Sequence, residues 1–173
     1  MLTRQLSIAT PIFLLIYVIQ ESIISQFRLP GGGFSILMIF ALTWAVLSET
    51  EVAAVIGFAA GFLMDLSQSV SGPFGHWTLI MLMAGYVVSY VGYGDDNVHE
   101  NAMGIIFLIV VANLCVEIAY VTTGALLGVS IGSFTQVLIT FFGMSSWALL
   151  VCPILLPVFT RLHVLVFDSR SAL

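Results

Sequence analysis

AMGIIFLIVVANLCVEIAYVTTGALL, residues 102–127, decides the fold: the stretch carries a single formal charge, at Glu117. Wound as a helix it would run about 39 Å at 1.5 Å per residue, longer than the roughly 30 Å hydrocarbon core of a bilayer. A helix that is apolar on every face must be covered by lipid or protein all round. Further apolar stretches lie on both sides of it, at residues 6–25, 34–47, 52–66, 77–93 and 134–158. Turn-rich or polar segments separate them: Leu29–Gly33 with one proline and three glycines, Ser48–Glu51, Ser67–His76, Gly94–Asn101 and Gly128–Ser133. Proline and glycine clusters do not continue a helix cheaply. The expectation is one transmembrane domain over residues 1–173, an all-α integral membrane protein folded as a bundle of six transmembrane helices.

The rest of the composition agrees. Hydrophobic residues make up 60% of the chain and charged residues 8%, against roughly 45–50% and about 25% in soluble domains. Mean hydropathy is +1.15. Formal net charge is −5, lysine is absent, and the four arginines are Arg4, Arg28, Arg161 and Arg170. That excludes a basic face for nucleic acid and a polybasic segment for anionic headgroups. Cys115 and Cys152 both fall in apolar stretches, where buried small hydrophobes are expected rather than a disulfide framework or a zinc site. Arg4 and the apolar run after it look like a signal peptide, but no small-x-small site follows, so an uncleaved first helix is expected. The second stretch is short for a crossing and would need little tilt or a thinned bilayer. Trp77 opens the fourth stretch, and Tyr86, Tyr90 and Tyr93 close it, as headgroup-level anchors would. No internal repeat of the kind that marks many transporters is evident.

Arginines near helix ends set orientation. With an even number of spans, Arg4, Arg161 and Arg170 share one side and Arg28 lies on the other. Three against one places both termini in the cytoplasm, together with the acidic connections at Glu49 and Asp95. The loop 67–76 then faces outward.

Polar residues inside the apolar stretches are the functional candidates. Glu117 sits mid-span, where a carboxylate costs about 2.5–3.5 kcal/mol on insertion scales. Asn113, four residues earlier, shares its helical face with Tyr120, Gly124 and Gly128, so that face should point at protein. Two readings stand: a polar cavity, partner contact or ion site, or a protonated carboxyl bonded to a neighbouring helix that holds the bundle together. Ala53, Gly57, Gly61 and Asp65 are spaced by four. Small residues at that spacing let two helices approach closely, and the stripe delivers Asp65 to the membrane edge, as a functional carboxylate or as a helix cap. His76, at the junction of loop and helix, reads as an interfacial anchor; His99 and His163 lack metal-ligand spacing. Pro153 and Pro157 should kink the last helix, and Ser145 and Ser146 should hydrogen-bond across helices. No nucleophile, zinc or nucleotide motif occurs. Asp65 and Glu117 are the one candidate carboxylate pair, and Asp65 lies at an edge, so neither catalysis nor a cofactor is expected.

The segment GFAAGFLMDLSQSVSGPFGHWTLIMLMAGY, residues 57–86, resembles the central segment of the MreD family of bacterial rod-shape-determining membrane proteins, in its actinobacterial form. The residues that carry the resemblance are Gly57, Gly61, Asp65, Leu66, Gly75, Leu79, Gly85 and Tyr86. The break at Pro30 and the ending Cys152-Pro153-Ile154-Leu155-Leu156-Pro157 are similar too, and length and span count agree over the whole chain. The resemblance implies a six-helix bundle similar to the substrate-binding components of energy-coupling-factor importers. It also implies a non-enzymatic scaffold of the cell-elongation complex, partnered by MreC, the actin-like MreB, the RodA polymerase and its transpeptidase. The competing expectation is a vitamin-binding importer subunit, since fold does not decide between them. A vitamin site needs convergent polar side chains, and the chain offers only Gln20, Glu21, Asn113 and Glu117.

Overall fold

The computed structural model describes residues 2–27, 29–67, 72–92, 101–129 and 132–167. Arg28, Tyr93, Asp95, His99, Arg170 and the Arg4 side chain lie outside the described residues. Among the described residues six α-helices follow one another: α1 Leu2–Ser22, α2 Ile36–Val46, α3 Thr50–Asp65, α4 His76–Gly92, α5 Ala102–Leu126 and α6 Phe134–Phe167. Short 3-10 turns at Ile24–Gln26 and Pro30–Gly32 join α1 to α2, and no strand occurs among the described residues. Three helical segments are long and apolar enough to cross a membrane: Ile8–Gln26, α5 and α6.

The remaining helices are shorter, and α2 shows why. Leu37 to Val46 is buried at every position. The second apolar stretch is therefore not a thin lipid-facing span but the pillar around which the other helices pack. Apolar residues on all faces suit such a core helix as well as they suit lipid. Phe40 of α2 stacks edge-on against Phe13 of α1 at 5.0 Å and Phe159 of α6 at 5.1 Å. Trp44 donates its indole N–H to the Phe159 carbonyl at 3.0 Å. Each aromatic pair contributes about 0.5–1.5 kcal/mol beyond area burial.

The start of α2 is fixed by side chains. Ser35 Oγ accepts from the Met38 amide at 3.2 Å and Gln20 Oε1 from the Ile36 amide at 2.8 Å. Both satisfy donors that a helix start leaves open. The turn before it lies against α6. Gly31 has φ +74°, and a Cβ there would stand 2.7 Å from Gly143 Cα. Trp147 Nε1 donates to the Pro30 carbonyl at 3.0 Å. Gly143 is nine residues into α6, about 13 Å along its axis. Non-helical backbone at such depth is tolerated where protein covers it.

α6 departs from expectation. It runs unbroken past Pro153 and Pro157 to Phe167, 34 residues, so the stretch after Arg161 begins as helix rather than as a tail. Both prolines are exposed, while Cys152, Leu156, Phe159 and Val166 are buried. The ring positions that lack an N–H face outward, and the packed face is intact. Ser48 Oγ lies 2.8 Å from His163 Nε2, and Ser89 Oγ donates to the Ser48 carbonyl at 2.6 Å. His163 does not stand alone; it ties the end of α6 to the α2–α3 corner. Cys152 is buried as expected, but Cys115 is exposed on α5.

Candidate functional site

The α3–α4 hairpin and the C-terminal half of α5 gather most of the candidate residues. Along α3, a Cβ on Gly57 would overlap the Met81 carbonyl, and one on Gly61 would sit 2.5 Å from the Trp77 carbonyl oxygen. From the other side, a Cβ on Gly85 would overlap the Ala53 carbonyl. The two backbones therefore touch along the whole stripe. Only residues without a side chain at 57, 61 and 85 permit that approach, which is how helices in lipid gain packing contact.

Asp65 finishes the hairpin. Its Oδ1 accepts from the Trp77 amide at 3.1 Å, and its Oδ2 accepts from the Thr78 amide at 2.9 Å and the Thr78 hydroxyl at 2.5 Å. The carboxylate caps the N-terminus of α4 from the end of α3, so the helix-cap reading of Asp65 is the one its contacts support. Charge and dipole agree there.

His76 is buried rather than an exposed anchor. Its ring stacks on Tyr120 at 4.5 Å, and Trp77 stacks on Tyr120 at 4.2 Å. Thr123 Oγ1 donates to the Ala119 carbonyl at 2.6 Å. The same oxygen lies 2.6 Å from His76 Nε2, and one of the two donates to the other. His76 Nδ1 is buried and has no hydrogen-bond partner among the described residues. Glu21 Oε1 accepts from Ser67 Oγ at 2.8 Å and ties the end of α1 to that of α3.

Deeper on α5, Asn113 Nδ2 donates to Glu117 Oε1 at 2.9 Å, and both residues are buried. Among the described residues, Glu117 Oε2 is buried without a hydrogen-bond partner, as is Ser145 Oγ on α6. The inward orientation of Glu117 matches its sequence, but its bonded partner is on its own helix, not across the bundle. Ser146 likewise bonds within its helix, donating to the Phe142 carbonyl at 2.6 Å. The serines do not bridge helices.

Other small residues play different parts. A Cβ on Gly124 would lie 3.6 Å from His76 Cε1, an ordinary contact, so that glycine marks no close crossing. Gly128 has φ +79° with nothing within 4 Å of its would-be Cβ. It ends α5, with the Val129 amide donating to the Gly124 carbonyl at 3.0 Å, a left-handed stop that favours glycine. Tyr86 is half-exposed on α4, two positions past the helix midpoint. Sequence reasoning passed over Thr78, Thr123 and Ser48. Their partners lie 13 to 115 residues away, and a hydroxyl in an apolar run gives no sign of its distant partner.

Among the described residues, no three His, Cys, Asp or Glu side chains converge as a metal site. Two of the cavities are apolar grooves on the outer surface, one between α1 and α3 and one between α4 and α5. A polar one of about 230 Å³ lies between the end of α1 and the glycine turn. Comparison with protein-family models, curated proteins and solved structures finds no match to this chain.

Proposed function

We propose that the chain is a non-enzymatic scaffold subunit of the bacterial cell-elongation complex, of the MreD type, supporting cell shape and lateral peptidoglycan synthesis. In this reading it is a multi-pass protein of the inner or plasma membrane with six spans and both termini in the cytoplasm. The partners are MreC, MreB and RodA with its transpeptidase. One observation carries the reading. Four of the residues on which the resemblance rests form one structural unit: Gly57, Gly61 and Gly85 make the α3–α4 backbone contact, and Asp65 caps α4. A motif built for rigid helix pairing serves an assembly subunit, which presents helix faces to partners.

The importer reading asks for a ligand cavity of about 300–1,000 Å³ with converging polar groups. The polar cavity here is near 230 Å³, and Gln20, the amide that lines it, already accepts from Ile36. The test is co-expression with MreC and RodA, detergent extraction and affinity purification, together with depletion in a rod-shaped host. The expected result is a co-purifying complex and rounded cells. Unchanged rods with no co-purification, or recovery of importer ATPases instead, would overturn the scaffold reading. Six spans are tested by labelling a cysteine at Phe74 in a cysteine-free background: reaction only from the cytoplasmic side refutes the orientation.

A further inference from the structure

Glu117 Oε2 on α5 and Ser145 Oγ on α6 are the two buried side-chain oxygens without a hydrogen-bond partner among the described residues. The helices that carry them pack side by side. The connection between these helices, residues 127–133, is short, which makes them antiparallel neighbours. Glu117 stands nine residues before the end of α5, and Ser145 eleven residues after the start of α6. At 1.5 Å per residue that is about 13 and 16 Å from the connection, less than one turn apart in level. Both belong to packed stripes. Glu117 follows buried Asn113 by four, and Ser145 precedes buried Ala148, Cys152 and Leu156 at intervals of three and four.

The carboxyl group is enclosed and held. Glu117 is 4% exposed and Asn113 3%, and Asn113 Nδ2 donates to Oε1 at 2.9 Å, leaving Oε2 open. Among the described residues no basic side chain bonds it. Lysine is absent from the chain, and none of the four arginines falls within residues 36–126. Arg161 is sixteen residues past Ser145, about 24 Å along α6. A carboxylate buried without a countercharge is costly. A proton on Glu117 cancels the charge but leaves Ser145 Oγ open, because the two oxygens do not bond each other. A metal ion between them meets both needs, since it reaches oxygens that stand too far apart to share a hydrogen bond.

We propose that Glu117 Oε2 and Ser145 Oγ bind one alkali-metal cation inside the bundle, with Asn113 as the positioning residue that orients the carboxylate. Oxygen donors suit hard cations and not the soft metals that thiolates hold. A single carboxylate balances a single positive charge. Calcium or magnesium would leave net charge in an apolar interior, and calcium draws on six to eight oxygen ligands, several of them carboxylates. The site stands apart from the scaffold reading, and either can fail without the other.

The test unfolds the full chain thermally in detergent, in choline chloride, sodium chloride and potassium chloride at equal ionic strength. A cation that binds only the folded state raises the midpoint by mass action. At about 100 mM cation and a dissociation constant of about 10 mM, the rise over choline is about 3–6 °C. Sodium or potassium should produce it. Glu117→Gln keeps an acceptor for Asn113 but loses the charge, and should abolish the rise. Ser145→Ala should at least halve it. Ser146→Ala is the control and should keep the full rise, because that hydroxyl already donates to the Phe142 carbonyl. Should Glu117→Gln not fold, the two serine variants decide between them. Equal wild-type midpoints in all three salts, a rise that survives Glu117→Gln, or equal rises in Ser145→Ala and Ser146→Ala each overturn the proposal.

Discussion

Replacing Gly61 by alanine tests the central contact of the fold with one methyl group. The new Cβ would stand 2.5 Å from the Trp77 carbonyl oxygen, 2.6 Å from Thr78 Cα and 2.9 Å from Thr78 N. Ordinary contacts of this kind begin near 3.4 Å, so α3 and α4 must part by about 1 Å. The obstacle is backbone, which cannot rotate aside as a side chain can. Overpacking of this sort costs about 1–3 kcal/mol. The displacement also falls one turn from Asp65, whose three bonds to Trp77 and Thr78 span 2.5–3.1 Å and do not survive an added ångström. Losing the cap adds about 0.5–2 kcal/mol. The sum, about 1.5–5 kcal/mol, would lower the unfolding midpoint by several degrees in detergent. Gly124→Ala is the matched control: the same change in a helix, but with its Cβ 3.6 Å from His76 Cε1. There alanine should be neutral, or stabilising by up to about 1 kcal/mol through helix propensity. Thermal unfolding of both variants, followed by monodispersity on size exclusion, decides the matter. Equal midpoints for Gly61→Ala and wild type, or equal losses in both variants, would show that the α3–α4 contact is not as close as the backbone geometry states.

Glu117→Gln retains an oxygen to accept from Asn113 and should preserve accumulation and complex assembly. Glu117→Leu strands the Asn113 amide and should cost about 1–3 kcal/mol, and a stable, folded Glu117→Gln protein that fails to assemble would show that the carboxyl proton or charge matters in itself. Asp65→Ala should lose about 0.5–2 kcal/mol of stability by uncapping α4, with Asp65→Asn recovering part of it through its remaining acceptor oxygen. Equal midpoints for Asp65→Ala and wild type in thermal unfolding would remove the cap from the account.

Helix position was legible because apolar runs ended by proline, glycine and polar clusters leave little choice of boundary. α4 begins at His76 where the sequence pointed to Trp77, and α5 begins at Ala102, the expected residue. Environment was less legible. The residues Leu37–Val46 would look the same against lipid as against protein, and only the packed structure shows α2 enclosed on every side. Cys115 and Cys152 sit in similar runs, yet one faces outward and the other the core. His163 and Ser48 meet across 115 residues of sequence, a pairing that no local pattern announces.

Spacing by four shows most clearly where sequence stops being enough. Gly57 and Gly61 share that interval with Gly124 and Gly128, and either pair satisfies the rule for close-packed helices. At 57 and 61 the chain stays helical and a foreign backbone occupies the space a side chain would need. At 128 the backbone has turned left-handed and the helix is over, so the glycine answers a demand of its own dihedral angles instead. What separates the two cases is the neighbour. α3 is followed by a capped antiparallel helix whose carbonyls at Trp77 and Met81 fill the groove between turns, whereas Gly124 meets only side chains at ordinary contact distance, the edge of His76 and Val129. The interval in the sequence permits contact; Asp65, by fixing where α4 starts against the end of α3, sets the register that turns permission into a packed hairpin.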